Sequence, residues 1–138
     1  MQKLLPPLDK ALSCLIRDLE TRGLLDTTII WVTGEFGRTP KIQWEPPFSG
    51  GRGHWGNTFS TFLAGGGFKG GTVVGTSDDI GEYVATRPTH PADIIGTIYN
   101  QLGIDPDTKI MHPQGYEVAI NERLSDKKLS EGLLYEII

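Results

Sequence analysis

A chain of 138 residues with one cysteine and a net charge of −4 excludes several kinds of protein at once. It is long enough to bury a core as one domain and too short for a comfortable second one. The balance of 13 basic against 17 acidic residues excludes a general binder of the nucleic-acid backbone, and a lone Cys14 excludes an intrachain disulfide or a thiolate zinc cluster.

No apolar run approaches the ~20 residues of a membrane span, and the opening MQKLLPPLDK lacks the apolar stretch of a signal peptide. Leu8, Ala11, Leu12, Leu15, Ile16 and Leu19 then recur at helical spacing. They predict an amphipathic helix over 7–22, with Cys14 as a small buried hydrophobe and Gly23 as the stop. The run 27–33 reads as a strand whose unbroken apolar character predicts burial on both faces, with Trp31 in the core. Helix followed by such a strand is the α/β pattern.

Residues 34–57 show little periodicity, and their prolines and glycines predict a long loop. A second apolar strand follows at 58–64, closed by Gly65-Gly66-Gly67, which reads as a tight turn because it lacks the phosphate-loop pattern. Residues 72–75 suggest a short hairpin and 82–87 a further strand. The segment PTHP starts a helix over 91–102, capped at Thr89 or His90, with Asp93 near the positive end of its dipole and Gly103 as its end. Beyond Pro113, residues 117–120 and 133–138 are expected as edge strands, with His112 solvated.

Chemistry concentrates in the long loop. Glu35 directly follows the first strand, and the run SGGRGHWGN at 49–57 carries His54 among glycines. Carboxylate and imidazole are metal-ligand types, while Arg38 and Arg52 offer forked donors for a phosphate, sulfate or carboxylate. A plainer alternative pairs Glu35 with Arg38 and packs His54 on Trp55. Trp44 and Trp55 either line a cleft or pack the loop.

The blocks LLDTTIIWVTGEFGRTP, GGRGHW, FLAGGGFKGGTVVG and RPTHPADIIGTIYNQLGID, in this order, resemble the carboxyl-terminal part of the domain-of-unknown-function 1501 family. These are bacterial proteins, often exported or periplasmic, placed with the alkaline phosphatase and sulfatase-like superfamily. The resemblance covers about 8–105. It implies an α/β fold, a partial three-layer α/β/α sandwich of alkaline phosphatase-like type in a single domain lacking the amino-terminal half. In it, helices 7–22 and 91–102 cover a sheet containing 27–33 and 58–64. It also implies a metal-dependent hydrolase of phosphate or sulfate esters, of which this chain holds part of the site. Glu35 stands where the superfamily has a metal-binding Asp, and His54 matches its later His. Phe36 replaces another His ligand, and Gly53 stands where most relatives have Asp.

The implied cofactor is a divalent metal, namely zinc, calcium or manganese, on Glu35 and His54. The implied substrate is a small anionic ester or glycan-type molecule near Arg38, Arg52 and Trp55, with no nucleic acid or membrane as partner. The superfamily's nucleophile lies in the amino-terminal half, so this chain is expected to be the last part of a longer protein. The alternative is a non-catalytic binding or partner-docking domain derived from the same fold.

Overall fold

The computed structural model describes residues 3–138. The first helix, α1, spans Leu5–Thr21, with proline in its first turn, where the missing N–H costs no hydrogen bond. Past its end the chain reverses at Gly23, whose φ of 67° falls in the left-handed region open to glycine. The expected helix is present, but its expected burial is not: α1 contains no buried residue. Leu12, Ile16 and Leu19 are half-buried, whereas Leu5, Leu8 and Leu15 are exposed and Cys14 faces solvent. A helical stripe becomes core only where another layer covers it. Among the described residues, this stripe lacks that layer.

A 3-10 turn, Leu25–Thr27, leads into strand β1, Ile29–Thr33. Two short strands follow, β2 at Gly37–Arg38 and β3 at His54–Trp55, and then β4 at Thr61–Gly65. Strand β4 runs antiparallel to β1, from Ile29 opposite Gly65 to Thr33 opposite Thr61. The predicted two-sided burial of β1 is corrected here. Ile30 and Val32 are half-buried on one face, while Trp31 is 41% exposed on the other and donates its indole N–H to Thr61 Oγ1 at 2.7 Å. An apolar run reports that a strand lies in a sheet; two covering layers are needed to bury both faces.

The glycines after β4 make a close approach possible. A Cβ on Gly65 would lie 2.2 Å from the Thr28 carbonyl oxygen, and one on Gly66 would lie 2.3 Å from Ile29. The turn therefore folds onto the residues that open β1, and the Gly66 N–H donates to the Leu25 carbonyl at 2.8 Å. No strand forms over 72–75. The hairpin lies just beyond, with β5 at Thr76–Ser77 paired to β6 at Val84–Thr86.

The densest part of the molecule surrounds the second helix, α2, Pro91–Gln101. His90 caps it as predicted. Its ring accepts from the Ala92 N–H at 3.2 Å, and Asp93 reaches back to the His90 N–H at 2.8 Å. Strands β7, Lys109–Met111, and β8, Glu117–Ala119, form an antiparallel hairpin on which His112 stacks against Tyr116, 4.4 Å between centroids.

The last segment is not an edge strand. It ends in a 3-10 turn, Tyr135–Ile137, and lies on α2, where Leu134 and Ile137 join Ile94 in a cluster packed against Leu63, Phe68 and Ile98. Its fastenings are specific. Ser130 donates to Asp93 at 2.8 Å, Thr97 accepts from the Leu134 N–H at 2.9 Å, and Asn121 donates to the Ala92 carbonyl at 3.0 Å. Arg87, held at a φ of 52°, donates to the Leu133 carbonyl at 2.8 Å and to Glu136 at 2.6 Å. The hydrogen bond that Arg87 donates to Glu136 holds the Arg87 pKa above its ordinary value against partial desolvation.

Candidate functional site

The loop 34–57 is ordered by its own hydrogen bonds into a finger that leaves the carboxyl end of β1. Strands β2 and β3 pair antiparallel, with Gly37 opposite Trp55 and Arg38 opposite His54. Further out, the Thr39 N–H donates to the Gly53 carbonyl at 3.0 Å, and Gln43 bridges Gly51. The buried Gly53 N–H is shared between Thr39 Oγ1 at 3.1 Å and Gln43 Oε1 at 3.0 Å. A side chain at position 53 would displace this arrangement, since a Cβ there would lie 2.8 Å from Gln43 Oε1. The base of the finger is equally tight: a Cβ at Gly37 would collide with the Thr58 carbonyl oxygen, 1.9 Å away.

Pairing sorts the side chains onto two faces. Residues directly opposite share a face, and residues two apart along a strand share it as well. Phe36, Arg38 and His54 thus belong to one face, and Trp55 belongs to the other, while Arg52 lies just before β3, outside the paired residues. Contacts bear out the shared face. The Phe36 and His54 rings stack with centroids 3.9 Å apart and planes tilted by 32°. The Arg38 guanidinium lies over the Phe36 ring at 5.4 Å, within cation–π range. Phe36, at the position of an expected ligand, therefore packs against both His54 and Arg38.

Arg38, Arg52, His54 and Glu35 are all exposed, and none of them enters an ion pair among the described residues. Glu35 occupies the bend between β1 and β2, next to Phe36, so its carboxylate is not committed to Arg38. Trp55 is half-buried, donates its indole N–H to the Glu82 carbonyl at 2.7 Å and meets Tyr83 edge-on at 6.2 Å. It braces the finger against the β5–β6 hairpin on the side away from His54.

Among the described residues, no three His, Cys, Asp or Glu side chains gather at a spacing suited to a metal ion. A shallow hollow of about 660 Å³ lies elsewhere, lined by Asp93, Arg123, Lys127, Ser130 and Glu131 among others, and shares no residue with the finger. Asp93 is fully buried there and already accepts from His90 and Ser130, so it has a structural task. Sequence reasoning missed the part played by Phe36. Its signal was the strand register, which places it beside His54 only once Arg38 is set opposite His54.

Among the described residues, two α-helices and antiparallel strand pairs thus carry an ordered, cation-bearing finger. Residues 1–133 match the family described as Protein of unknown function (DUF1501), and the chain belongs to that family. No curated protein and no solved structure matches it. No helix among the described residues is long and apolar enough to cross a membrane.

Proposed function

We propose that the chain supplies one wall of a hydrolytic site for phosphate or sulfate esters, within a partial α/β/α sandwich of the alkaline phosphatase-like type. One observation carries this reading: Arg38 stands opposite His54 on the finger, and Arg38, Arg52, His54 and Glu35 are all exposed with no ion-pair partner among the described residues. Unpaired guanidinium groups on a rigid hairpin suit a tetrahedral oxyanion, which they hold through charge-assisted, forked hydrogen bonds.

Glu35 and His54 have the donor chemistry for a divalent metal such as zinc, calcium or manganese. They are two ligands where a catalytic zinc centre uses three from protein. They therefore fit as part of a centre whose other ligands come from outside the finger. A metal in such a place supplies Lewis-acid polarisation of the ester oxygen. The contribution of this chain is to bind: Arg38 and Arg52 hold the oxyanion, and Phe36 keeps Arg38 and His54 in register.

The test is a calorimetric titration of zinc, manganese and calcium into the purified chain and into Glu35→Ala and His54→Ala. The expected result is one weak site for at least one of these ions that both substitutions abolish. Heat that survives both substitutions, or no heat for any ion, overturns the reading. A second reading, a non-catalytic docking domain, draws on the exposure of Leu8 at 53% and Leu15 at 47% on α1. It predicts no metal site.

A further inference from the structure

At the tip of the finger, Trp44 is 74% exposed. Its six-membered ring nevertheless rests on the backbone at Gly50, where φ is 91° and a Cβ would lie 3.0 Å from Cζ3. One face of the indole is thus seated on glycine and the other is open to water. Tryptophan is highly buried on average, and an indole held flat and open keeps a large apolar surface hydrated. The same finger carries Arg38 opposite His54, with Arg52 two residues before it, all exposed and outside any ion pair among the described residues.

We propose that the finger binds an anionic oligosaccharide, with a sugar ring stacked on the open face of Trp44 and sulfate or phosphate groups held by Arg38 and Arg52. The proposal rests on the oxyanion-holding role of the two arginines argued above, and it goes further by adding Trp44 and by naming the carrier of the ester. A small aryl ester needs one forked contact. Two guanidinium groups on the finger, one in β2 and one between the Gln43–Gly51 bridge and β3, with an indole beyond that bridge, suit a ligand that extends along the finger. The apolar C–H face of a pyranose matches an indole face, and its ester groups match the cations. A nucleic-acid strand also offers rings and phosphates, but tracking its backbone takes a basic groove. This chain, with a net charge of −4, offers two arginines on the finger.

The experiment measures binding of a fluorescently labelled, heparin-derived sulfated tetrasaccharide by anisotropy, with a chelator present so that no metal contributes. Trp44→Ala and the double substitution Arg38→Gln/Arg52→Gln should each weaken binding about tenfold, the scale of losing one anchoring aromatic or charge-assisted contact. Lys10→Gln on α1 should leave it unchanged, and the desulfated tetrasaccharide should not compete. A phosphorylated tetrasaccharide run in parallel assigns the ester group to whichever sugar binds more tightly. Absence of binding to both sugars overturns the proposal. So does binding that Trp44→Ala leaves intact, or equal binding of a single-stranded oligonucleotide of the same charge. Because the chelator removes metal from the assay, a failed metal titration at Glu35 and His54 sinks the hydrolytic reading without altering this result.

Discussion

Gly96 lies in the middle of α2, and general helix propensity says that alanine there should stabilise by roughly 1 kcal/mol. The packing of the carboxyl-terminal segment reverses that sign. A Cβ on Gly96 would lie 2.5 Å from Asn121 Nδ2 and 2.7 Å from Leu133 Cδ2. Leu133 can yield by rotation, but Asn121 is buried and its Nδ2 donates to the Ala92 carbonyl at 3.0 Å. Displacing it leaves a buried donor and acceptor unpaired, at ~1–3 kcal/mol, in addition to overpacking strain of similar size. Set against the propensity gain, Gly96→Ala should destabilise by about 1–5 kcal/mol and lower Tm by several degrees or more. Urea unfolding followed by circular dichroism measures the first quantity and a thermal melt the second. Asn121→Ala should recover part of the loss in the double variant, because the two sites share a clash. A Gly96→Ala protein more stable than the parent would show that the segment 121–138 does not lie on α2 as described.

Ser130→Ala should cost ~1–3 kcal/mol, since Asp93 is fully buried and loses one of its donors; a change within the scatter of a surface control would refute that. Leu15→Ala should cost no more than about 0.5–1 kcal/mol because Leu15 is 47% exposed, whereas Ile94→Ala, at 3% exposure, should cost ~2–5 kcal/mol. Equal melting shifts for the two would put α1 back in the core. Glu136 titrates below its ordinary 4.5, chiefly through the hydrogen bond from Arg87, with its own backbone N–H assisting and partial desolvation opposing. A lowered folded-state value means that its stabilisation is complete above the unfolded-state value and fades as pH falls through the lowered one. Glu136→Gln should therefore flatten the acid limb of the stability profile between those two values, and an unaltered limb would contradict the Arg87 pairing. The chain by itself should not turn over aryl phosphate or sulfate esters, because the finger carries no activated nucleophile. Turnover that survives purification and disappears in Glu35→Ala would show a complete site.

The elements that could be foreseen were those whose cause is local. His90, Pro91 and Asp93 specify the start of α2 within four residues, and the structure contains that capping box. Gly23 likewise marks a reversal through its left-handed φ, and the Gly65–Gly67 run marks one where Gly65 and Gly66 leave a side chain no room. Burial was harder to foresee because it belongs to pairs of elements. Trp31 and Leu15 sit in patterns that a core would also show, yet each faces water for want of a covering layer.

The carboxyl-terminal segment erred in the opposite direction. LLYEII reads as an edge strand, but Leu134 and Ile137 are buried because Thr97, Asp93 and Arg87, all distant in sequence, fasten the segment down. In the finger, glycines announced tight turning, and the chemical residue types were plain. Which of them share a face was settled only by the register that sets Arg38 opposite His54.

The central claim is that Glu35 and His54 are two ligands of one centre on the finger. Crystals of the chain grown with zinc, with data collected on both sides of the zinc absorption edge, test it most directly. The account predicts an anomalous peak bonded at ~2.0–2.2 Å to an imidazole nitrogen of His54 and a carboxylate oxygen of Glu35, with water in the remaining positions. A peak at His90 or His112 instead, or the two side chains diverging around an empty finger at saturating zinc, would contradict it.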